Sequence, residues 1–232
     1  CCLFVELGGE STAELESRAQ GLVADAGALD SLVVTDKTHA AALWRIREDG
    51  AGLSARNADG QPAYAGWEDA AVPVAKLGTY LREFDALMDT YGFTGLPYGH
   101  LGDGCLHVRI DFPLTSQGGV SRTRDFLLDA ARLVASHGGS LSGEHGDGRA
   151  RSELLPAMYS SEAMELMRQA KTIFDPAGLL NPGVLIDPAS MTDDLRTSGY
   201  RPVTSGLALH YGDDHNDFAA AVHRCTGVGK CR

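Results

Sequence analysis

The sequence predicts an α+β fold in which helices cover a short-stranded antiparallel sheet, and three observations carry that prediction. Apolar residues recur every three or four positions at 12–26, 76–91, 121–137 and 160–174, the period of amphipathic helices. Short strand-like runs lie between them, at 1–7, 31–35, 68–74 and 108–112. Glycine and proline, 28 and 9 of the 232 residues, gather at the junctions. Strand, helix, strand, helix with short strands makes a ferredoxin-like sandwich, with a further helical segment at the C-terminal end.

The elements follow in order. Cys1-Cys2-Leu3-Phe4-Val5-Glu6-Leu7 is an apolar strand-like run with no starting Met, as expected of a piece of a longer protein. Ser11 and Glu14 form a capping box. The helix they start carries Leu15, Ala19, Leu22 and Val23 on one stripe and ends at Gly27. Ser31–Thr35 is a second strand, and Asp36 caps a helix containing Ala40, Leu43, Trp44 and Arg47. Residues 54–66 have turn composition without a period, so they form a loop. Glu68–Val74 is an edge strand, because Pro73 cannot donate to a ladder. Lys76–Tyr91 buries Leu77, Leu81, Phe84, Leu87 and Met88. Ser121–His137 does the same through Phe126, Leu127, Ala130, Leu133 and Val134, and Gly138-Gly139 stops it. A helix over Ser160–Phe174 precedes an irregular connector, Asp175–Gly183. Residues 188–206 read as a linker, which divides the chain into 1–187, the linker, and 207–232.

Composition excludes several classes. A net charge of -11 argues against a nucleic-acid or anionic-membrane partner, since phosphate binding needs clustered Lys and Arg. Hydrophobic residues at 44% and charged ones at 22% are those of an ordinary globule. The sequence contains neither a transmembrane run nor a signal-peptide pattern. Five scattered cysteines fit a reducing cytoplasm better than a disulfide framework.

The chemistry sits in two glycine-flanked loops. His100-Leu-Gly-Asp-Gly-Cys-Leu-His107 places two imidazoles around a turn at Gly102-Asp103-Gly104. On one unbroken strand these histidines would face opposite sides, so the chain must reverse there to bring them together. Val108, Ile110 and Phe112 then alternate with Arg109 and Asp111, as on a half-buried strand. Gly143-Glu144-His145-Gly146-Asp147-Gly148 supplies a carboxylate and a third imidazole. Two His and one Glu suit Zn²⁺ or Mn²⁺ with an open coordination position. Glu144 and His145 are adjacent, so strand geometry would point them apart, one toward an ion and its neighbour toward substrate. The residues alone leave open a metal-dependent hydrolase and a structural module whose loops bind no metal.

The two loops, followed by Phe174-Asp-Pro-Ala-Gly-Leu-Leu-Asn181-Pro-Gly, resemble the C-terminal domain of FAD-linked oxidases. That family includes the D-lactate, glycolate and D-2-hydroxyglutarate dehydrogenases of the vanillyl-alcohol-oxidase-like flavoproteins, and the resemblance covers roughly residues 1–187. It implies a small 2-hydroxyacid substrate, His100, His107 and Glu144 as ligands of a Zn or Mn ion, and His145 as the base that takes the hydroxyl proton while hydride leaves for flavin. It further implies that Arg47 binds the substrate carboxylate and that Asn181 lies near the flavin ring. The family holds FAD mainly through an N-terminal domain with a phosphate-binding loop, and no such loop occurs here, so the chain alone is expected to be inactive. Cys105 and Arg109 stand where many relatives have Asn, and Arg109 reads either as an outward strand residue or as a second carboxylate holder. Ala51 and Trp67 replace the Thr and Lys of some relatives, which favours a D-lactate or glycolate type over a dicarboxylate substrate. In fused members an iron-sulfur module follows, and 207–232 resembles its opening, with Cys225 and Cys231 as the first ligands of a [4Fe-4S] cluster. The resemblance thus implies a cytoplasmic protein, peripheral to a membrane respiratory chain.

Overall fold

The computed structural model describes residues 2–48, 55–57, 62–195 and 201–223. They fall in two compact units divided between Leu53 and Ser54.

Among the described residues, the first unit holds two helices. α1 (Thr12–Ala26) starts at Ser11, whose hydroxyl accepts the Glu14 amide at 3.5 Å, and ends on Gly27 in left-handed backbone at φ 58°. α2 (Lys37–Glu48) starts where the Asp36 carboxylate accepts the His39 amide at 2.7 Å. Both caps were expected. The strands expected at 1–7 and 31–35 are absent, since the described residues of both runs are in neither helix nor strand. A strand exists only as a member of a ladder, and apolar alternation without a partner does not make one. Leu3 and Leu32 stay 65% and 69% exposed.

The second unit is built on an antiparallel sheet of β1 (Tyr64–Ala71), β2 (Gly95–His100) and β3 (Cys105–Ile110), in the order β1-β3-β2. The predicted hairpin is therefore real: β2 and β3 pair from Gly95 with Ile110 to His100 with Cys105, through a tight turn over Leu101–Asp103. β1 lies on an edge and begins at Tyr64, earlier than the sequence indicated, because β3 extends far enough to pair with it through Ile110. α3 (Leu77–Tyr91) and α4 (Gly119–Ser136) pack on one face of the sheet. Leu106, Val108 and Ile110 alternate toward that face and meet Phe84 and Met88 of α3 and Phe126, Ala130 and Val134 of α4. Tyr80, absent from the predicted stripe, is buried because Trp67 Nε1 donates to its hydroxyl at 3.1 Å.

α5 (Gly148–Arg151) is a single turn that runs into a 3-10 segment, Ser152–Ala157. α6 (Ser161–Phe174) starts at Ser160, whose hydroxyl accepts the Ala163 amide, but its apolar stripe stays outside the core. Ile173 and Phe174 are 74% and 85% exposed. The connector after α6 is irregular, as expected, and α7 (Phe218–His223) closes the described chain. The α+β class, an antiparallel sheet covered by helices, holds. No helix among the described residues is long and apolar enough to cross a membrane.

Candidate functional site

Alternation along β3 gives the sheet a second face. With Leu106, Val108 and Ile110 turned to the core, Cys105, His107 and Arg109 project to the other side. Register places Tyr98 beside His107 on β2 and Glu68 beside it on β1. The tight turn then carries His100 back over the same face, its ring centroid 6.2 Å from that of His107. Gly104 makes the turn possible. Its φ is 72°, and a side chain there would run into the Val72 carbonyl oxygen.

The second loop comes down onto this face. Gly143 donates to the Asp69 carbonyl at 2.8 Å, and a Cβ on it would lie 3.1 Å from Ala71 Cβ and 3.2 Å from Cys105 Sγ. Glu144 Oε1 then stands 3.5 Å from Nε2 of His100 and 3.5 Å from Nε2 of His107. Two donor atoms bound tetrahedrally at about 2.1 Å from one ion lie about 3.4 Å apart, so the donor set fits a small divalent cation. The ligand atoms of all three residues lie within 4.8 Å of one another.

His145 does not point away from its neighbour. Its Nε2 is 3.7 Å from Glu144 Oε1, and its ring stacks on His107 at 5.1 Å and 13°. Strand periodicity fails here because residues 143–145 form a bend, so adjacent side chains can reach the same side. Asp69, His107 and His145 form a second group with converging donor atoms.

Electrostatics separate the members. Burial holds the His107 imidazole below its ordinary range, and the facing His145 adds to this against the upward pull of Asp69, Glu144 and Glu68. Burial also pushes the Asp69 carboxyl upward, but hydrogen bonds from Ser142, the His145 and Glu144 amides and Cys105 outweigh it and hold it low. The Cys105 thiol, buried and facing Asp69, Glu144 and Asp103, is pushed up to about 11. Arg151 fastens the loop to the sheet by donating to the Gly146 carbonyl at 2.9 Å and to the Glu68 carbonyl. Burial raises the carboxyl of Asp147 against the downward pull of Arg151.

The remaining predicted residues are dispersed. Arg109 shares the face of His107, with Nε 3.3 Å from Glu68 Oε1. Those two buried atoms are close but not aligned as a hydrogen bond. Trp67 turns into the core instead. Asn181 sits exposed on the connector in left-handed backbone, φ 44°, and makes no described hydrogen bond or ion pair with the cluster. Arg47 falls on α2 in the first unit, and its side chain lies outside what is described. Cys225 and Cys231 also lie outside the described residues. Sequence reasoning missed Asp69 and Arg151. The available signal for Asp69 was an acidic pair, Glu68-Asp69, leading into the apolar run Ala70–Val72.

An antiparallel sheet with helices on one face and converging imidazoles and carboxylates on the other defines an α+β domain able to hold a cation. Residues 1–185 match the family described as FAD linked oxidases, C-terminal domain, and the chain belongs to that family. It is 31% identical over 199 residues to the D-2-hydroxyglutarate dehydrogenase of Escherichia coli, covering 81% of this chain and 19% of that protein. It is 40% identical over 118 residues to the D-lactate dehydrogenase of Archaeoglobus fulgidus, covering 51% of this chain and 26% of that protein. With the D-2-hydroxyglutarate dehydrogenase of Pseudomonas putida the identity is 35% over 171 residues, 71% of this chain and 16% of that protein. The chain thus spans between 16% and 26% of the length of these relatives.

Proposed function

We propose that this chain is the substrate- and metal-binding domain of an FAD-dependent D-2-hydroxyacid dehydrogenase of the D-lactate or glycolate type. The observation that carries the reading is the approach of Glu144 Oε1 to both His100 and His107 at 3.5 Å, in a chain of the FAD-linked oxidase family. His100, His107 and Glu144 would hold a Zn or Mn ion. When bound, the ion would acidify the substrate 2-hydroxyl and the flavin would take up the hydride.

The chain's own residues do the rest. Burial of His107 favours its neutral imidazole, the form that can bind a cation. His145 takes the hydroxyl proton at its ring nitrogen, and its stacking on His107 fixes the direction of approach. Arg109 holds the carboxylate, entering with its charge already shared with Glu68. Asn181 faces the flavin in this reading. The core position of Trp67 and the lack of a lysine there favour a small monocarboxylate over a dicarboxylate.

The partners in this reading are a flavin-binding portion of the same polypeptide, without which the chain is inactive, and an iron-sulfur module introduced by Cys225 and Cys231. Cysteine usage supports a cytoplasmic location, peripheral to a respiratory membrane. The test is anaerobic flavin reduction in the full-length polypeptide by D-lactate, L-lactate, glycolate and D-2-hydroxyglutarate. Rapid bleaching by D-lactate or glycolate is expected. Bleaching by none of the four overturns the assignment.

A further inference from the structure

Asp69 is the extra residue of a β-bulge: Glu68 pairs with His107 and Ala70 with Leu106, so one residue of β1 has no counterpart on β3. Its φ is +88° and its exposure 0%. A carboxylate buried on left-handed backbone is costly unless its acceptors are filled. Here they are filled mainly by one loop, with the Cys105 thiol of β3 adding a longer bond at 3.5 Å. The Ser142 hydroxyl donates at 2.7 Å, the Glu144 amide at 3.0 and 3.1 Å to the two carboxylate oxygens, and the His145 amide at 2.8 Å. With Gly143 on the Asp69 carbonyl, three successive amides close on one residue.

We propose that Asp69 is a positioning residue: its carboxylate fixes the Gly143–His145 bend against the sheet and thereby sets where Glu144 and His145 stand relative to His100 and His107. The roles of Glu144 and His145 rest on the proposed function, whereas the clamp itself stands on the hydrogen bonds. The bulge sets Asp69 apart from its in-register neighbours: Glu68 stands beside His107 and meets Arg109, and Ala70 turns into the core.

Asp69→Asn keeps the volume but turns one acceptor oxygen into an NH₂ group facing donors. In the full chain, the amides of Glu144 and His145 should exchange hydrogen at least about tenfold faster while the amides of Phe126 and Val134 keep their protection. Zn²⁺ affinity, measured by calorimetry, should fall about 10- to 100-fold, the usual effect of removing a residue that orients a ligand. Ser142→Ala, which removes one donor and leaves Asp69, should weaken Zn²⁺ binding about threefold. Wild-type exchange at Glu144 and His145 together with wild-type Zn²⁺ affinity in Asp69→Asn overturns the proposal. If that variant does not fold, the same result in Ser142→Ala overturns it. Absence of Zn²⁺ binding by the wild type would sink the metal reading, and the exchange comparison would still decide the clamp.

Discussion

His107 Nε2 and Glu144 Oε1 come within 3.5 Å of each other from separate loops, one reaching the site as a central strand and the other as a bend. The strand position is rigid, because β3 is paired on both sides. The bend is held by hydrogen bonds to Asp69 and by the His145 ring stacked on His107, so the geometry of the pair depends on how the loop is fastened.

The hairpin turn should tolerate no side chain at Gly104. Gly104→Ala must leave φ 72° or collide with the Val72 carbonyl oxygen, whose residue also donates to the Gly104 carbonyl at 3.0 Å. A loss of at least about 2 kcal/mol in urea unfolding is expected.

Phe84 should be among the costliest truncations of the core. It is 1% exposed and its ring contacts those of Trp67, Tyr80 and Phe126. Phe84→Ala is expected to lower unfolding stability by ~3–5 kcal/mol. A loss below about 1 kcal/mol would mean that the helix α3 does not anchor this face.

The connector after α6 should loosen in acid. Lys171 and the Leu180 and Leu179 amides hold the Asp175 carboxyl down at about 2. A depressed carboxyl contributes stability that is fully present above its unfolded value, near 4, and that fades as pH falls toward 2. Wild type should therefore show slower exchange than Asp175→Asn at the Leu179 and Leu180 amides at pH 5, with the difference closing by pH 2. A difference constant across that range would contradict the assignment.

The cysteines should differ in reactivity. Cys105 is buried with its thiol raised to about 11, while Cys2 is exposed. Brief iodoacetamide treatment at pH 8, followed by peptide mass spectrometry, should label Cys2 and leave Cys105 largely unmodified.

Much of the fold was legible because its signals are local. The Ser11 and Asp36 caps and the Gly102-Asp103-Gly104 reversal are written in consecutive residues, and the structure has them. The strands at 1–7 and 31–35 were misread because an apolar run says nothing of whether a pairing partner exists. At the site, spacing and glycine flanks brought out His100, His107, Glu144 and His145. Asp69 stayed hidden because its role depends on a bulge in a ladder, a relation between β1 and β3 that neither segment announces. The adjacency argument for Glu144 and His145 failed for a related reason: it assumed strand geometry where the amides bend over a buried carboxylate.

The most direct test of the account is divalent metal content in wild type, His107→Ala and His145→Ala after loading with Zn²⁺ or Mn²⁺ and desalting. The account predicts about one ion per chain in the wild type, near-complete loss in His107→Ala, and retention in His145→Ala. Equal loss in the two variants, or no metal in the wild type, would contradict it.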